Sequence, residues 1–124
     1  MGFARSKMNS EAKRVIENNP VAFATVDKSG KPNVIAVSCV KVVSKNQILI
    51  TDNFMKQTKQ NLKKSNCVCA AVWDKKWKGY KLVGRAKYVT SGKWKKFVKA
   101  MPENRGLPAK GAIVVTISKL MKLS

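Results

Sequence analysis

The sequence contains no histidine, and only 6 of its 124 residues are aspartate or glutamate. The absence of histidine excludes the Ser-His and Cys-His pairs that activate nucleophiles in many hydrolases. The few carboxylates are scattered and form no general acid–base pair at a readable spacing. The sequence also has neither a G-x-G-x-x-G motif nor a P-loop. If this protein catalyses a reaction, a bound cofactor must therefore supply the chemistry.

Cysteine is scarce, with Cys39, Cys67 and Cys69 as the only three. An odd number of cysteines in a chain of this length does not indicate a disulfide framework. Cys67 and Cys69 share one face of a predicted strand, but three thiolates fall short of the four ligands of a structural zinc site. We interpret them as small core residues carrying reduced thiols in a cytoplasmic protein, and we expect no metal.

No apolar run approaches the ~18 residues that a membrane-spanning helix needs. The first residues, MGFARSKMNSEAK, lack the apolar stretch of a signal peptide, although Met1-Gly2 with Ser6 fits the loose myristoylation pattern. The length predicts one domain over residues 1–124. We therefore expect a single cytoplasmic domain that does not bind membranes.

Positive charge dominates instead, with 26 lysines and arginines, a formal net charge of +20 and a pI near 10.3. Most of these residues are lysines spread along the whole chain, which favours diffuse attraction over base-specific recognition. The composition predicts weak, nonspecific and salt-sensitive binding to polyanions such as nucleic acids. A lysine-rich proteome or a high-salt cytoplasm explains the same composition without such a function.

The hydrophobic pattern predicts a fold that is mainly β with peripheral helices. β-Branched and alternating segments predict six strands, at Val21–Val26, Asn33–Val43, Gln47–Thr51, Cys67–Trp73, Tyr80–Thr90 and Gly111–Ser118. Short turns separate most of them, and Gly84 is a candidate for a β-bulge. Six strands with few helices favour a small β-barrel with the helices packed outside it.

Three helices are predicted between these strands. Ser10 is the expected N-cap of a helix over Glu11–Asn18. A second helix follows Asp52, with Asn53 as its expected N-cap, and Ser91 is the expected cap of the third. Four apolar residues of the third helix follow the spacing of a buried face, namely Trp94, Phe97, Val98 and Met101.

The segment Asp52–Lys64, DNFMKQTKQNLKK, is the clearest functional signal. An apolar strand runs directly into the start of a polar helix, where free backbone N–H groups and the positive end of the helix dipole meet. Lys56, Gln57 and Thr58 fall in the first turn, where charge-assisted bonds to a phosphate are strongest. An ordinary amphipathic helix with a solvated basic face accounts for the same residues, since no strict phosphate signature is present.

Four segments in order, FATVDKSGKPNVIAVSCVKV, ILITDNFMKQTKQNLKKSNCVCAAVWD, WKGYKLVGRAKYVTSG and AIVVTIS, resemble the FMN-binding split-barrel family, also called pyridoxamine-phosphate-oxidase-like. The resemblance covers roughly residues 10–118 and is strongest to the short, small FMN-binding protein type. It implies a six-stranded split β-barrel that forms a homodimer. It also implies FMN in a groove at the dimer interface, with its phosphate at the start of the helix after the third strand.

The resemblance assigns cofactor-binding roles residue by residue. The phosphate ligands of the family fall on Lys56, Gln57 and Thr58. Backbone groups of the second strand, at Ala36, Val37 and Ser38, would hold the isoalloxazine edge, and Thr51 and Asp52 would lie beside the ribityl chain. The partner subunit would contribute from Trp77, Tyr80 or the loop around Pro108. Trp73 and Trp77 fit a dimer core equally well.

The chain departs from true pyridoxamine phosphate oxidases, because it lacks the histidine of the segments that hold pyridoxal phosphate in them. We therefore expect an FMN-dependent oxidoreductase or electron-transfer module, not a vitamin B6 oxidase. Its basic surface suits an anionic redox partner, such as a nicotinamide nucleotide, a deazaflavin or an acidic electron carrier. The alternative is a basic, polyanion- or nucleic-acid-binding β-barrel without flavin.

Overall fold

A computed structural model describes residues 7–123, which form three α-helices, one short 3-10 helix and seven strands in a single antiparallel sheet. The strands are β1 (Val21–Val26), β2 (Pro32–Val37), β3 (Lys41–Ser44), β4 (Gln47–Asp52), β5 (Cys67–Trp73), β6 (Gly79–Val89) and β7 (Gly111–Lys122). The helices are α1 (Ser10–Asn18), α2 (Gln57–Lys64), α3 (Lys93–Ala100) and the 3-10 helix η1 (Pro102–Asn104). The myristoylation pattern lies outside the described residues.

The prediction of a mainly β fold with peripheral helices is confirmed. Between residues 7 and 123, no helix combines the length and apolar character needed to cross a membrane. The sheet runs in the order β2-β1-β5-β6-β7-β4-β3, with every neighbouring pair antiparallel. Its two edge strands are therefore β2 and β3, which are consecutive in sequence.

The predicted strand Asn33–Val43 is wrong as one element, because it is divided between these two edges. Only Ser38, Cys39 and Val40 connect β2 to β3. A link of three residues spans little more than ~10 Å, so the sheet must curl until its two edges approach each other. Cys39 makes the change of direction with a φ of 58°, a conformation that cysteine seldom adopts and that its residue type does not signal.

The curled sheet encloses the main hydrophobic core. Phe23 of β1, Ile48 and Ile50 of β4 and Ile113 of β7 are all completely buried in it. Helix α1 closes one side with the buried Ala12, Val15 and Ile16. A second, smaller cluster forms where Val98 of α3 packs with Leu49 and Ala112 on the other face of the sheet.

The predicted irregularity at Gly84 is confirmed by the pairing of β6 with β7. Val83 faces Lys119 and Gly84 faces Ile117, so Ser118 is left over as the bulged residue. A Cβ atom at Gly84 would lie only 2.2 Å from the carbonyl oxygen of Thr116. Only glycine tolerates this approach of the two backbones.

Two helix predictions need correction. Helix α1 is capped by Asn9, whose Oδ1 accepts a hydrogen bond of 2.8 Å from the N–H of Ala12, one residue before the predicted Ser10. Helix α3 begins after Gly92, not after Ser91. Its expected buried face is only partly buried, since Phe97 is 44% exposed.

Candidate functional site

A cleft of about 510 Å³ opens where the end of β2, the loop between β4 and α2, and the segment around η1 come together. This volume is within the range of small-molecule sites in proteins. Seven of the ten predicted site residues line it, namely Ala36, Val37, Ser38, Thr51, Lys56, Gln57 and Thr58. The structure therefore brings together residues from three separate segments of the sequence.

One end of the cleft is formed by the N-terminus of α2. Lys56 occupies the N-cap position, and no side chain caps this helix terminus. The N–H groups of the first turn, at Gln57 and Thr58, therefore have no side-chain acceptor of the usual capping kind. An exposed lysine, free N–H groups and the positive end of the helix dipole together favour an anionic group here.

Asn53 is not the N-cap that the sequence predicts. Its Oδ1 accepts a hydrogen bond of 2.8 Å from the backbone N–H of Ala109, and its Nδ2 donates to Oδ1 of Asn104. The Nδ2 of Asn104 donates to Oγ1 of Thr51 at 3.0 Å and to the carbonyl oxygen of Val98 at 2.7 Å. This amide network attaches the η1 segment to the end of β4 and forms one wall of the cleft.

Thr58 is almost completely buried beneath the cleft, with 1% of its surface exposed. Its Oγ1 accepts a hydrogen bond of 3.4 Å from Nδ2 of Asn33 on β2. A hydroxyl that accepts in this way keeps its own proton for another acceptor. One turn further along α2, Asn61 donates to Oγ1 of Thr25 on β1 at 3.0 Å, which fixes the helix against the sheet.

Asp52 lies behind the cleft, not in its lining. Its side chain is fully buried, accepts a hydrogen bond from the hydroxyl of Tyr88 and accepts another of 2.8 Å from the N–H of Met55. Nζ of Lys110 approaches the carboxylate at 3.9 Å. Burial and the bond to Asp52 raise the pKa of Tyr88. In this position Asp52 holds the loop between β4 and α2 from behind.

Other residues that line the cleft are apolar. Ile35 and Val37 of β2 face it, and Phe54, Met55 and Leu107 form its rim. Phe54 is 71% exposed, which is unusual for a phenylalanine. Sequence reasoning missed these residues, although Phe54 and Met55 are conspicuous as apolar residues within the polar run DNFMKQT.

Trp77 and Tyr80, which the resemblance assigns to the partner subunit, do not line the cleft of their own chain. Tyr80 is 5% exposed, and its hydroxyl donates to the carboxylate of Glu11 on α1. Burial and this bond raise the pKa of Tyr80 to about 12. Trp77 is 71% exposed in the turn between β5 and β6. A role for either residue in a site shared between subunits stays a prediction.

The described part of the chain contains no cluster of three or more cysteine, aspartate or glutamate side chains that could hold a metal ion. Glu103, at the edge of the cleft, is engaged instead by Nζ of Lys41 at 2.9 Å. This contact lowers the pKa of Glu103 and raises that of Lys41. The cleft therefore combines a helix N-terminus that favours an anionic group with apolar lining residues.

Comparison with known proteins identifies the family and the fold of this chain. A profile of the pyridoxamine 5'-phosphate oxidase family matches residues 8–123. An uncharacterised protein of Methanocaldococcus jannaschii is 32% identical over 121 residues, covering 94% of this chain and 81% of the relative. The crystal structure of HupZ from Group A Streptococcus superposes with a TM-score of 0.86 at 25% identity, covering 94% of each chain.

An FMN-binding protein from Syntrophomonas wolfei shares the fold with a TM-score of 0.75 at 20% identity, covering 91% of this chain and 84% of that protein. An F420 reductase and the heme storage protein HutZ from Vibrio cholerae share it with TM-scores of 0.71 at 18% identity. Proteins of this fold thus bind more than one kind of cofactor. Because the family profile spans almost all of the described residues, the chain belongs to the pyridoxamine 5'-phosphate oxidase family.

Proposed function

We propose that this protein is an FMN-binding flavoprotein that functions as an oxidoreductase or electron-transfer module. The observation that carries the proposal is a cleft that is lined both by the uncapped N-terminus of α2 and by the apolar residues Phe54, Met55 and Leu107. A phosphate fits the helix N-terminus and an aromatic ring system fits the apolar lining.

In this proposal, Lys56 neutralises the phosphate while the N–H groups of Gln57 and Thr58 and the Thr58 hydroxyl donate hydrogen bonds to it. Backbone groups of Ala36, Val37 and Ser38 border the ring, and Thr51 borders the linking chain. Asp52 lies behind the lining of the cleft and fixes the loop between β4 and α2 by accepting the hydrogen bond from the N–H of Met55. FMN, when bound, would supply hydride and single-electron transfer.

FMN is favoured over heme as the ligand of this cleft. The sequence has no histidine to ligate a heme iron. The uncapped helix terminus matches a compact phosphate better than the carboxylates of a porphyrin, because three phosphate oxygens can accept from adjacent N–H groups.

We propose a six-stranded split barrel that forms a homodimer, in which β2 and β3 count as one strand interrupted at Cys39. The redox partner would be anionic, such as a nicotinamide nucleotide, a deazaflavin or an acidic electron carrier, since the net charge of +20 attracts such molecules. Oxidation of pyridoxamine phosphate is not part of the proposal, because the chain lacks the histidine expected in that binding site.

The first test is the absorbance spectrum of the purified protein, before and after FMN is added. Replacing Thr58 with alanine removes a hydroxyl bonded to a charged group, which costs about 1.5–3 kcal/mol. Thr58→Ala should therefore weaken FMN binding roughly 10- to 100-fold. Riboflavin, which lacks the phosphate, should bind the variant and the wild type with similar affinity.

Ser91→Ala is a control, because it removes an exposed hydroxyl outside the cleft. Equal losses of FMN and riboflavin affinity in Thr58→Ala would show that the phosphate lies elsewhere. A colourless protein that takes up no FMN, yet binds nucleic acid above 200 mM salt, would favour the flavin-free polyanion-binding alternative.

A further inference from the structure

The chain builds the same hairpin turn twice. In the turn between β1 and β2, the carboxylate of Asp27 accepts hydrogen bonds from the N–H groups of Ser29 and Lys31. In the turn between β5 and β6, the carboxylate of Asp74 accepts the equivalent bonds from Lys76 and Lys78, both at 2.9 Å. The backbone bonds also match, since the N–H of each aspartate donates to the carbonyl oxygen four residues ahead.

The two turns differ at the position that requires a left-handed backbone. Gly30 occupies it in the first turn, with a φ of 86°, and Trp77 occupies it in the second, with a φ of 65°. Glycine is the usual residue here because it has no Cβ. A bulky residue in this conformation is a genuine outlier, and such strain is typically retained at functional sites. The turn therefore keeps a tryptophan where glycine would be the unstrained choice.

The strained backbone presents Trp77 to solvent as part of an aromatic pair. Its ring stacks on that of Trp73 at the end of β5, with 6.3 Å between centroids and an angle of 10° between planes. Trp73 is 45% exposed and Trp77 is 71% exposed. A nearly parallel pair with so much free surface offers a flat face on which another planar ring can continue the stack.

The turn that carries this pair also contributes to a basic concavity of about 400 Å³. It is lined by three lysines of the turn, by α1 residues and by one carboxylate, namely Lys75, Lys76, Lys78, Arg14, Asn18, Asn19 and Asp74. The Asp74 carboxylate is used by the turn itself and by Arg14, whose Nη1 lies 3.9 Å from Oδ2. Lys78 also approaches Glu11 at 3.6 Å. Lys75 and Lys76 are exposed and lie between the two tryptophans in the sequence.

We propose that the Trp73–Trp77 pair and this basic concavity form a binding site for single-stranded nucleic acid. Bases would stack on the exposed face of Trp77, while Arg14, Lys75 and Lys76 would attract the phosphates. This combination of an aromatic stacking face with a cationic groove is how single strands are bound without sequence preference. The site shares no lining residue with the cleft of its own chain, and its test requires no flavin.

The test uses the full-length protein, a fluorescein-labelled 20-nucleotide poly(dT) strand and anisotropy in 50 mM salt. Trp77→Gly restores the residue of the first turn, so its melting temperature should be no lower than that of the wild type. Its affinity for the strand should nevertheless fall about 5- to 100-fold, since stacking contributes strongly for each base. Trp77→Phe should retain most of the affinity because it keeps a stacking face.

Phe97→Ala is the matched control, because Phe97 is also an exposed aromatic flanked by lysines, on α3. It should bind poly(dT) as the wild type does. Heparin, a polyanion without bases, should bind Trp77→Gly and wild type equally. Wild-type binding to poly(dT) should fall steeply between 50 and 200 mM salt, by a factor on the order of 10³ if several phosphates are contacted.

Three results would overturn the proposal. The first is a Trp77→Gly affinity for poly(dT) within twofold of the wild type. The second is an equal loss of heparin and poly(dT) binding in that variant, which would leave charge as the sole determinant. The third is dissociation of a wild-type dimer by Trp77→Gly in sedimentation velocity, which would place the tryptophan pair in a subunit interface instead.

Discussion

Both tyrosines of the chain donate their hydroxyl protons to carboxylates, Tyr80 to Glu11 and Tyr88 to Asp52. Each phenol is also removed from water, and both effects disfavour its ionised form. The pKa of Tyr80 is accordingly raised to about 12, and that of Tyr88 is raised as well. An unfolded tyrosine titrates near pH 10. Above about pH 10, the two tyrosines of the folded protein therefore keep protons that the unfolded chain has already released.

This difference predicts how stability changes with alkaline pH. Since the folded pKa of Tyr80 is raised, its contribution is fully present below about pH 10 and is lost as pH rises toward about 12. Tyrosinate absorbance should be nearly absent in the native protein at pH 10.5 and prominent in urea-unfolded protein. Tyr80→Phe should reduce the fall in unfolding free energy across this range, while lysine deprotonation affects both proteins alike. A native tyrosine titrating near pH 10 would contradict the assigned hydrogen bonds.

Individual residues also show why sequence reasoning about the cleft was incomplete. Lys56, Gln57 and Thr58 could be placed at a helix start, because a strand followed by a polar helix is a local pattern. Asn53 was predicted as the cap from the same pattern, but its side chain bonds to Ala109, 56 positions away. Asp52 was expected beside the ligand, yet its carboxylate bonds to Tyr88 of β6. Hydrogen-bond partners that are so distant in the sequence cannot be predicted from the local sequence pattern.

At the scale of elements, the buried side-chain amide of Asn104 joins the η1 segment to the end of β4 and to α3. Asn104 is 5% exposed and bonds to Thr51, Val98 and Asn53. Asn104→Ala would leave the Val98 carbonyl and the Asn53 amide without this partner, at a cost of about 1–3 kcal/mol. Urea denaturation should show that loss, and FMN retention should weaken because the wall of the cleft loosens.

Asn18→Ala is the control for this change, since Nδ2 of Asn18 donates to the carbonyl oxygen of Arg14 on an exposed face of α1. Its unfolding free energy should stay within about 0.5 kcal/mol of the wild type. Equal stability of the two variants would show that the amide network does not hold the η1 segment in place.

The strands were predictable from sequence, because alternation and β-branching mark them locally. The position at which the predicted strand Asn33–Val43 divides was not predictable from sequence, because Cys39 has none of the features of a turn residue. Its conformation is imposed by the approach of the two sheet edges. Strand β7 also runs to Lys122, beyond the predicted Ser118, because its last residues pair with Tyr80 and Lys81 of β6. Pairing therefore extended the strand through Leu120, which is buried in the main core, to the polar Lys122.

At the scale of the whole molecule, three exposed apolar residues lie on the edge strand β2 and in the lining of the cleft. Val34 of the edge strand β2 is 64% exposed, and Phe54 and Leu107 at the rim are 71% and 42% exposed. The edge strand itself offers unpaired backbone groups. Exposed apolar residues are typical of a protein–protein interface where they form a contiguous patch. They support the proposed homodimer, in which a second subunit would cover the cleft.

The dimer is tested by introducing charge into this surface. Val34→Lys should shift the sedimenting mass from near twice 13.7 kDa toward the single-chain mass at micromolar concentration, because an unpaired lysine would have to be buried at the interface. If the second subunit completes the flavin site, the variant should also release FMN. Phe97→Lys places the same charge on α3, at a position 44% exposed, and should remain dimeric with its flavin. A wild-type protein that is monomeric at this concentration and still binds FMN tightly would exclude a shared site, since one chain would then enclose the cofactor alone.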